Sequence, residues 1–285
     1  MRRKNTIELS LISSRLTAVC DEMGAVLQRA AFSTNIKDRL DFSCAVFGPA
    51  GELCAQAAHI PVHLGSMAYA MQSLVAGVKW TPGDVVIVND PFLGGTHLPD
   101  ITLVSPGYQA DELVGFVANR AHHADIGAET PGSMPISRSL DEEGVVIAPT
   151  NKLRAVKVIG GVMADIVAAT ARPAQMQVDQ AAQLSANRAG EQRLAGLAQA
   201  TGLAGFRDGL AAVNDYGARL ASEALAAIPN GCYHFRDVMD DDGLGTQDIP
   251  LAVTVTADNG RVVVDFAGTA MQVAGNINCP LSVTE

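Results

Sequence analysis

Two short stretches of this 285-residue chain concentrate imidazole and carboxylate groups. The first runs Asn89-Asp90-Pro91-Phe92-Leu93-Gly94-Gly95-Thr96-His97-Leu98-Pro99-Asp100. The second runs Asn119-Arg120-Ala121-His122-His123-Ala124-Asp125-Ile126-Gly127. Each places a His and an Asp three residues apart. Imidazole nitrogen and carboxylate oxygen together suit borderline divalent ions such as Mn, Fe, Co or Zn. With no thiolate nearby, a closed structural zinc knuckle is disfavoured and an open coordination position is left for chemistry. In a strand, His123 and Asp125 project to one face, whereas His122 and Asp125 converge only if the backbone turns. The residues leave that choice open. Asn89 or Asp90 serves either as a ligand or as an orienting partner for a ligand imidazole.

A third pair, His59-Ile60-Pro61-Val62-His63, ends near a helix start at Leu64-Gly65-Ser66-Met67. It offers a further ligand, a general base for the same cleft, or packing alone. His234 has no companion cluster and reads as structural. Arg120 and Arg138 suit either an anionic substrate group or a surface ion pair. Other motifs fail on spacing. Aligning Gly243 of Asp240-Asp241-Asp242-Gly243 with the glycine of a calcium loop puts Val238 first and Ile249 twelfth, which is no EF-hand. No Gly-x4-Gly-Lys-Ser/Thr run occurs and no Gly-x-Gly-x-x-Gly opens a helix after a strand, so the chain shows no phosphate cradle of its own. Pro131-Gly132-Ser133-Met134-Pro135 lacks the second glycine of a nucleophile elbow.

The elements that must hold these residues follow from periodicity. Ile7, Leu9, Leu11, Ile12, Leu16, Val19, Met23, Val26 and Leu27 recur at helical steps and predict a long helix over 5–31. Short apolar runs at 43–47, 84–88, 101–104 and 113–118, separated by Gly- and Pro-containing turns, read as strands, with a helix over 66–78 between them. Each His/Asp stretch therefore adjoins a strand end, where a rigid scaffold can converge side chains. Two long helices are expected between Gln175 and Ile228, broken at Thr201-Gly202 and stopped by Pro229-Asn230-Gly231. Strands follow at 233–238, 249–256 and 261–266, with Asp258-Asn259-Gly260 as a hairpin turn. The fold class is α+β: mixed β-sheets, a long N-terminal helix and a central pair of long helices. We divide it into a metal-site α+β region (1–160), a helical region (161–230) and the start of a β-rich region (231–285).

Composition narrows the partners. Thirty acidic residues against 20 basic give a net charge of −10, and only 5% of residues are aromatic. General nucleic-acid or anionic-membrane binding wants a basic face, and single-strand binding wants stacking platforms. Neither is present. The five cysteines are scattered with no C-x-x-C pair and read as small buried hydrophobes in a reducing, cytoplasmic setting. The basic start leads into no apolar signal segment.

The two central stretches, with Pro131-Gly132-Ser133-Met134, resemble the hydantoinase B/oxoprolinase family. Glu142-Glu143-Gly144, Arg172-Pro173, Asp240-Asp241-Asp242-Gly243 and Val264-Asp265-Phe266-Ala267-Gly268-Thr269 extend the likeness along the chain. That family includes the B-type subunits of ATP-dependent N-methylhydantoinases, the C-terminal part of 5-oxoprolinases and a subunit of acetone carboxylases. The resemblance implies a divalent metal held by Asp100, His122 and Asp125, with His97 beside them. His123 comes next with His97, as ligand or orienting partner, and His123, with His59 and His63 from the reading above, is a candidate catalytic group that moves protons. The resemblance further implies an A-type partner that carries ATP and phosphorylates a small cyclic amide, which this chain then helps to hydrolyse or, in a carboxylase-like member, carboxylate. Two departures stand out: Gln177 occupies a position where the family tends to have Gly, and the chain stops within a family motif at 276–285. The expectation is the N-terminal half of a longer subunit, the competing reading being a non-catalytic metal-binding or assembly module.

Overall fold

The computed structural model describes residues 6–58, 60–133, 135–147, 164 and 166–284. His59, Met134 and the Gly160-Gly161 pair lie outside them. Ile12, Leu16, Val19, Met23 and Leu27 are all buried along one side of a 25-residue helix, α1 (Thr6–Ala30), as their spacing requires. A single turn, α2 (Thr34–Lys37), leads into strands β1 (Phe42–Phe47) and β2 (Leu53–Ala58). The sequence pattern does not announce β2, because Leu53-Cys54-Ala55-Gln56-Ala57-Ala58 carries no β-branched residue. Helix α3 (His63–Gly77) follows, then β3 (Val86–Val88), β4 (Asp100–Gln109) and β5 (Glu112–His122).

These strands form one sheet in the order β2-β1-β5-β4-β3. Every pairing among the described strands is antiparallel, a narrower result than mixed sheets. β4 and β5 meet in a two-residue turn at Ala110 and Asp111, both with positive φ (50° and 63°), the twist a tight hairpin needs. Both faces of the sheet are covered. Met67, Ala70, Met71 and Leu74 of α3 pack on Val104, Phe116 and Ala118. On the opposite face α1 packs with α5 (Pro173–Thr201) over Cys44, Val46, Val117 and Ala121. Burial on both faces is why β1 reads as a continuous apolar run with no alternation.

A short helix, α4 (Leu140–Glu143), precedes α5. The pair α5 and α6 (Leu203–Ala226) breaks at Gly202, in agreement with the Thr201-Gly202 signal. β6 (Gly231–Asp241), β7 (Gln247–Asp258) and β8 (Arg261–Asp265) form a second antiparallel sheet, its β7–β8 turn built on Asn259 and Gly260 at positive φ. A last turn, α7, spans Leu281–Thr284. The architecture is α+β, as expected. Cα packing divides the chain into two compact units. One holds Met1–Pro135, Asp141–Val213 and Cys279–Glu285; the other holds Ile136–Leu140 and Asn214–Asn278. The stretch 161–230, expected as one helical region, is thus shared between them. No helix among the described residues is long and apolar enough to cross a membrane.

The cysteine reading holds for three of the five. Cys20, Cys44 and Cys54 are buried, while Cys232 and Cys279 are exposed. Burial pushes the Cys20 thiol up to about 12 and raises Cys44 well above its ordinary value. An aromatic disulfide reagent at pH 8 should therefore modify Cys232 and Cys279 in the native protein and reach Cys20 and Cys44 only after denaturant is added. Fast native labelling of Cys20 or Cys44 would contradict this core.

Candidate metal centre

The site begins with strand register. β4 and β5 pair so that Asp100 stands opposite His122, and Thr102 opposite Arg120. All four side chains reach the α3 side of the sheet, where α3 itself supplies His63 and Ser66. His97 arrives from the connection between β3 and β4. There Pro91–Leu93 make one 3-10 turn, Asp90 accepts from the Phe92 amide at 2.9 Å, and Gly94 closes it in the left-handed region at φ 104°. The chain passes so close to itself next that a Cβ at Gly95 would lie 2.2 Å from the Asn89 carbonyl oxygen. Only glycine fits there.

The Asp100 carboxylate is the hub. Its Oδ1 lies 3.2 Å from His97 Nε2 and 3.2 Å from His122 Nδ1. Its Oδ2 lies 3.4 Å from His63 Nε2 and accepts a short hydrogen bond from the Thr96 hydroxyl. Asp41 Oδ2 stands 3.7 Å from His122 Nδ1. Asp100, His63 and His122 are buried, while His97 keeps about a quarter of its side chain in solvent (26%). Despite these distances, Asp100 Oδ1 and His63 Nε2 make no hydrogen bond of acceptable alignment. Buried polar atoms are ordinarily satisfied, so lone-pair atoms that converge without bonding have the signature of ligands around a cation. His97, Asp100 and His122 form one such set, with ligand atoms all within 4.8 Å; Asp41, His63 and Asp100 form another.

Supporting contacts fix the orientation of these groups. Ser43 Oγ is 2.9 Å from His63 Nδ1, and Ser133 Oγ is 3.1 Å from His122 Nε2. Each imidazole thus has one nitrogen engaged and the other turned to the cluster, the usual arrangement for a ligating or proton-handling histidine. Burial alone would raise the Asp100 pKa, but the imidazoles of His122, His63 and His97 outweigh it and hold the carboxyl well below its ordinary range. Burial depresses His97 as well, and the Asp100 carboxylate reverses that, leaving its pKa raised. The cluster is built around a standing negative charge. Beside it Arg120 is fully buried, with no carboxylate in ion-pair contact among the described residues. Its guanidinium donates to Thr102 Oγ1 (2.8 Å), Ser66 Oγ (2.6 Å) and the Gly94 carbonyl (2.8 Å). Desolvation brings its pKa down to about 10. Arg120 is not a surface residue, and among the described residues it is not half of an ion pair. It is a clamp joining β4, α3 and the His97 loop.

The sequence-predicted residues separate. His97, Asp100, His122 and His63 come together. His59 lies outside the described residues. Asp125 stands apart: Oδ1 accepts from the Gly127 amide (2.8 Å) and Oδ2 from the Ala171 amide (2.7 Å), so both oxygens organise backbone. His123, one residue beyond His122, projects to the α5 side. Its Nε2 lies 2.9 Å from Gln183 Oε1. Gln183 Nε2 donates to the Ile101 carbonyl and to Asn119 Oδ1; Asn119 Nδ2 donates to Asn187 Oδ1; Asn187 Nδ2 donates to the Leu103 carbonyl and to Ser105 Oγ. Carbonyls only accept, so this ladder has one direction. It requires His123 Nε2 to carry the proton, which leaves Nδ1 a buried, unpaired acceptor facing a cleft lined by Asp125, Arg172 and Asp179. Burial lowers the His123 pKa, in keeping with a neutral ring. Sequence reasoning misses Asp41: a lone Asp after Arg39-Leu40 carries no motif, and only the fold brings it to His122.

Gln183→Met removes an acceptor and two donors from this ladder at one stroke. We expect it to cost about 1–3 kcal/mol in denaturant unfolding, the penalty of stranding buried polar partners. It should also release the His123 tautomer, visible as a shift of its 15N imidazole resonances. An unchanged His123 spectrum would show that Gln183 does not set the tautomer.

Comparison with known proteins shows the family and the fold. The family model described as hydantoinase B/oxoprolinase matches residues 5–285. A 5-oxoprolinase of Dictyostelium discoideum is 38% identical over 98% of this chain, which covers 22% of that protein. A chain of Pseudomonas sp. (strain NS671), provisionally named as the B-type subunit of a D-/L-hydantoinase, is 30% identical over 99% of this chain and 50% of its own length. The crystal structure of an ATP-dependent caprolactamase from Pseudomonas jessenii superposes with a TM-score of 0.90 at 24% identity, over 99% of this chain and 49% of that one. The chain thus spans half or less of the length of these relatives. It belongs to the hydantoinase B/oxoprolinase family.

Proposed function

We propose that this chain supplies the metal-binding site of an ATP-dependent cyclic amidohydrolase, acting on a small lactam of the hydantoin or 5-oxoproline type that an A-type partner has activated. The observation that carries the reading is the convergence of His97 Nε2, Asp100 Oδ1 and His122 Nδ1 at 3.2 Å with no hydrogen bond at Asp100 Oδ1. These three residues would hold a divalent ion such as Mn, Zn, Fe or Co, and Asp41 and His63 border the same place. Bound there, such an ion acidifies water and polarises a substrate oxygen.

The chain's own residues account for the rest. The Thr96 hydroxyl donates to Asp100 Oδ2, which His63 Nε2 approaches without a hydrogen bond, and Oδ1 is left facing His97 and His122. Ser133 holds His122 by its remote nitrogen. His63, steadied by Ser43, is the group placed to move a proton at Nε2, because that atom is buried, unbonded and beside the carboxylate. His97 forms the half-open side by which a ligand would enter. The lactam carbonyl is a poor electrophile; phosphorylation of its oxygen by the partner would supply a leaving group, which accords with the absence of a phosphate loop in this sequence. His123 and Asp125 take part as supports in this reading: Asp125 orders the turn that follows β5, and His123 presents Nδ1 on the other side of the sheet.

Two measurements test it. Metal analysis of the purified chain should find a bound divalent ion that Asp100→Asn and His122→Ala abolish. Asp125→Asn should retain the ion while losing about 1–3 kcal/mol of stability, since it weakens the acceptor for two backbone amides. Equal and near-zero metal in wild type and Asp100→Asn would end the metal reading. For turnover, this chain would be combined with a purified A-type subunit, ATP, and hydantoin or 5-oxoproline. Ring opening should require all components and fall at least a hundredfold with Asp100→Asn, the scale on which metal-site lesions act. Ring opening that persists without this chain would leave it a metal-binding or assembly module.

A further inference from the structure

The second sheet has an apolar face that is largely open to solvent among the described residues: Ile249 is buried and Val253 and Val255 are half-buried, while the side chains toward both edges are exposed. Strand register assigns Tyr233, Phe235 and Met239 of β6 to the same face as Ile249, Leu251, Val253 and Val255 of β7 and Val264 of β8. Tyr233 sits opposite Val255, and Val255 opposite Val264. The other face carries His234, Arg236, Thr254, Thr256 and Asp265 together with Val238, Ala252 and Val263, so the two faces differ in the number of large apolar side chains, with the aromatic ones confined to the first. Yet every residue of β6 is exposed. Phe235 has 62% of its surface in solvent, Val264 has 51%, and Tyr233, Met239 and Leu251 are exposed as well. An amphipathic sheet is a stable solution only when its apolar face meets a second layer, and a contiguous patch of this kind marks an interface.

We propose that this face is the docking surface for an apolar layer contributed by the part of the family's longer chains that the present match does not span. Two relatives argue for that occupant over a second copy of the chain. The Pseudomonas hydantoinase chain and the caprolactamase chain each align with nearly all of this sequence, and this sequence accounts for only 50% and 49% of them. Family members of that size hold a further stretch of comparable length within one polypeptide, available to the sheet at high effective concentration. The chemistry of the fit is aliphatic and aromatic, with Asp237 as the one charged position on that face of β6 between Tyr233 and Met239. β6 and β8 are both edge strands, so the incoming layer can also extend the sheet by backbone pairing. This inference rests on family membership and sheet register; it is independent of the metal reading.

The test uses cysteine accessibility. Phe235→Cys and Val264→Cys report the apolar face, and native Cys232, exposed on the opposite face of β6, is the internal reference. The 285-residue chain would be mixed with the unmatched half of the Pseudomonas hydantoinase chain as a separate polypeptide. The two halves of that Pseudomonas chain itself, with cysteines at the aligned positions, form a second pair, so that a species mismatch does not decide the result. Maleimide labelling would be read peptide by peptide by mass spectrometry. The expected result, in at least the second pair, is a one-to-one complex in which labelling at 235 and 264 slows at least tenfold while Cys232 is unchanged, and which Phe235→Asp abolishes. Three outcomes overturn the proposal: no complex in either pair, a complex that leaves 235 and 264 as reactive as before, or equal protection of Cys232. A self-dimer of the chain alone that protects 235 and 264 would also overturn it, assigning the face to a second copy.

Discussion

The first unit depends on burying a carboxylate. Asp100 sits at the start of β4 with 2% of its surface exposed, and an isolated charge in such a place is prohibitively costly. Everything around it reads as compensation. Three imidazoles face it, a hydroxyl donates to it, and a buried guanidinium lies within electrostatic reach. None of these groups is near Asp100 in the sequence except Thr96 and His97. The sheet pairing brings His122, helix α3 brings His63, and the segment before β1 brings Asp41. Cluster and fold therefore specify each other: the register that sets Asp100 opposite His122 is the one that buries Val104, Phe116 and Ala118 under α3.

The sheet also acts as a partition. His122 and His123 are consecutive, and the two-residue period of a strand sends one to the α3 side and the other to the α5 side. On the first side lies a set of atoms that converge without bonding; on the second lies a ladder in which nearly every donor is matched. The first arrangement is open to a ligand. The second is closed on itself by paired amides, with His123 at its end and the Asp125 turn directly following in the chain.

Much of this is legible in the sequence, for identifiable reasons. Helix α1 is plain because apolar residues repeat along its whole length, and α5 and α6 because Gly202 and Pro229-Asn230-Gly231 punctuate them. The strands of the first sheet are recognisable as apolar runs between turns, though their ends fall short by several residues: Arg120 and His122 look polar, and only the fold shows that they are interior. β2 is invisible because its Ala, Cys and Gln residues have no strand preference. Within the site, His97 and Asp100 stand out because a tight loop joins them. The pairing of His122 with Asp125 by spacing does not survive the backbone turn after β5, which hands Asp125 to the Gly127 and Ala171 amides. Asp41 lacks any local signal, since its proximity to His122 is made by strand pairing alone.

The ladder from Ser105 to His123 has a consequence for how variation in this family should be weighed. Replacing Asn119, Gln183 or Asn187 by the matching acid changes one atom and counts as a mild exchange in most alignments. Here each side-chain amide must donate as well as accept, and two of the recipients are the carbonyl oxygens of Ile101 and Leu103. A carboxylate in the same volume would meet those oxygens lone pair to lone pair, behind the strand that carries Asp100. Shape would be conserved and polarity inverted, so the mildest-looking exchanges are among the least compatible with this interior.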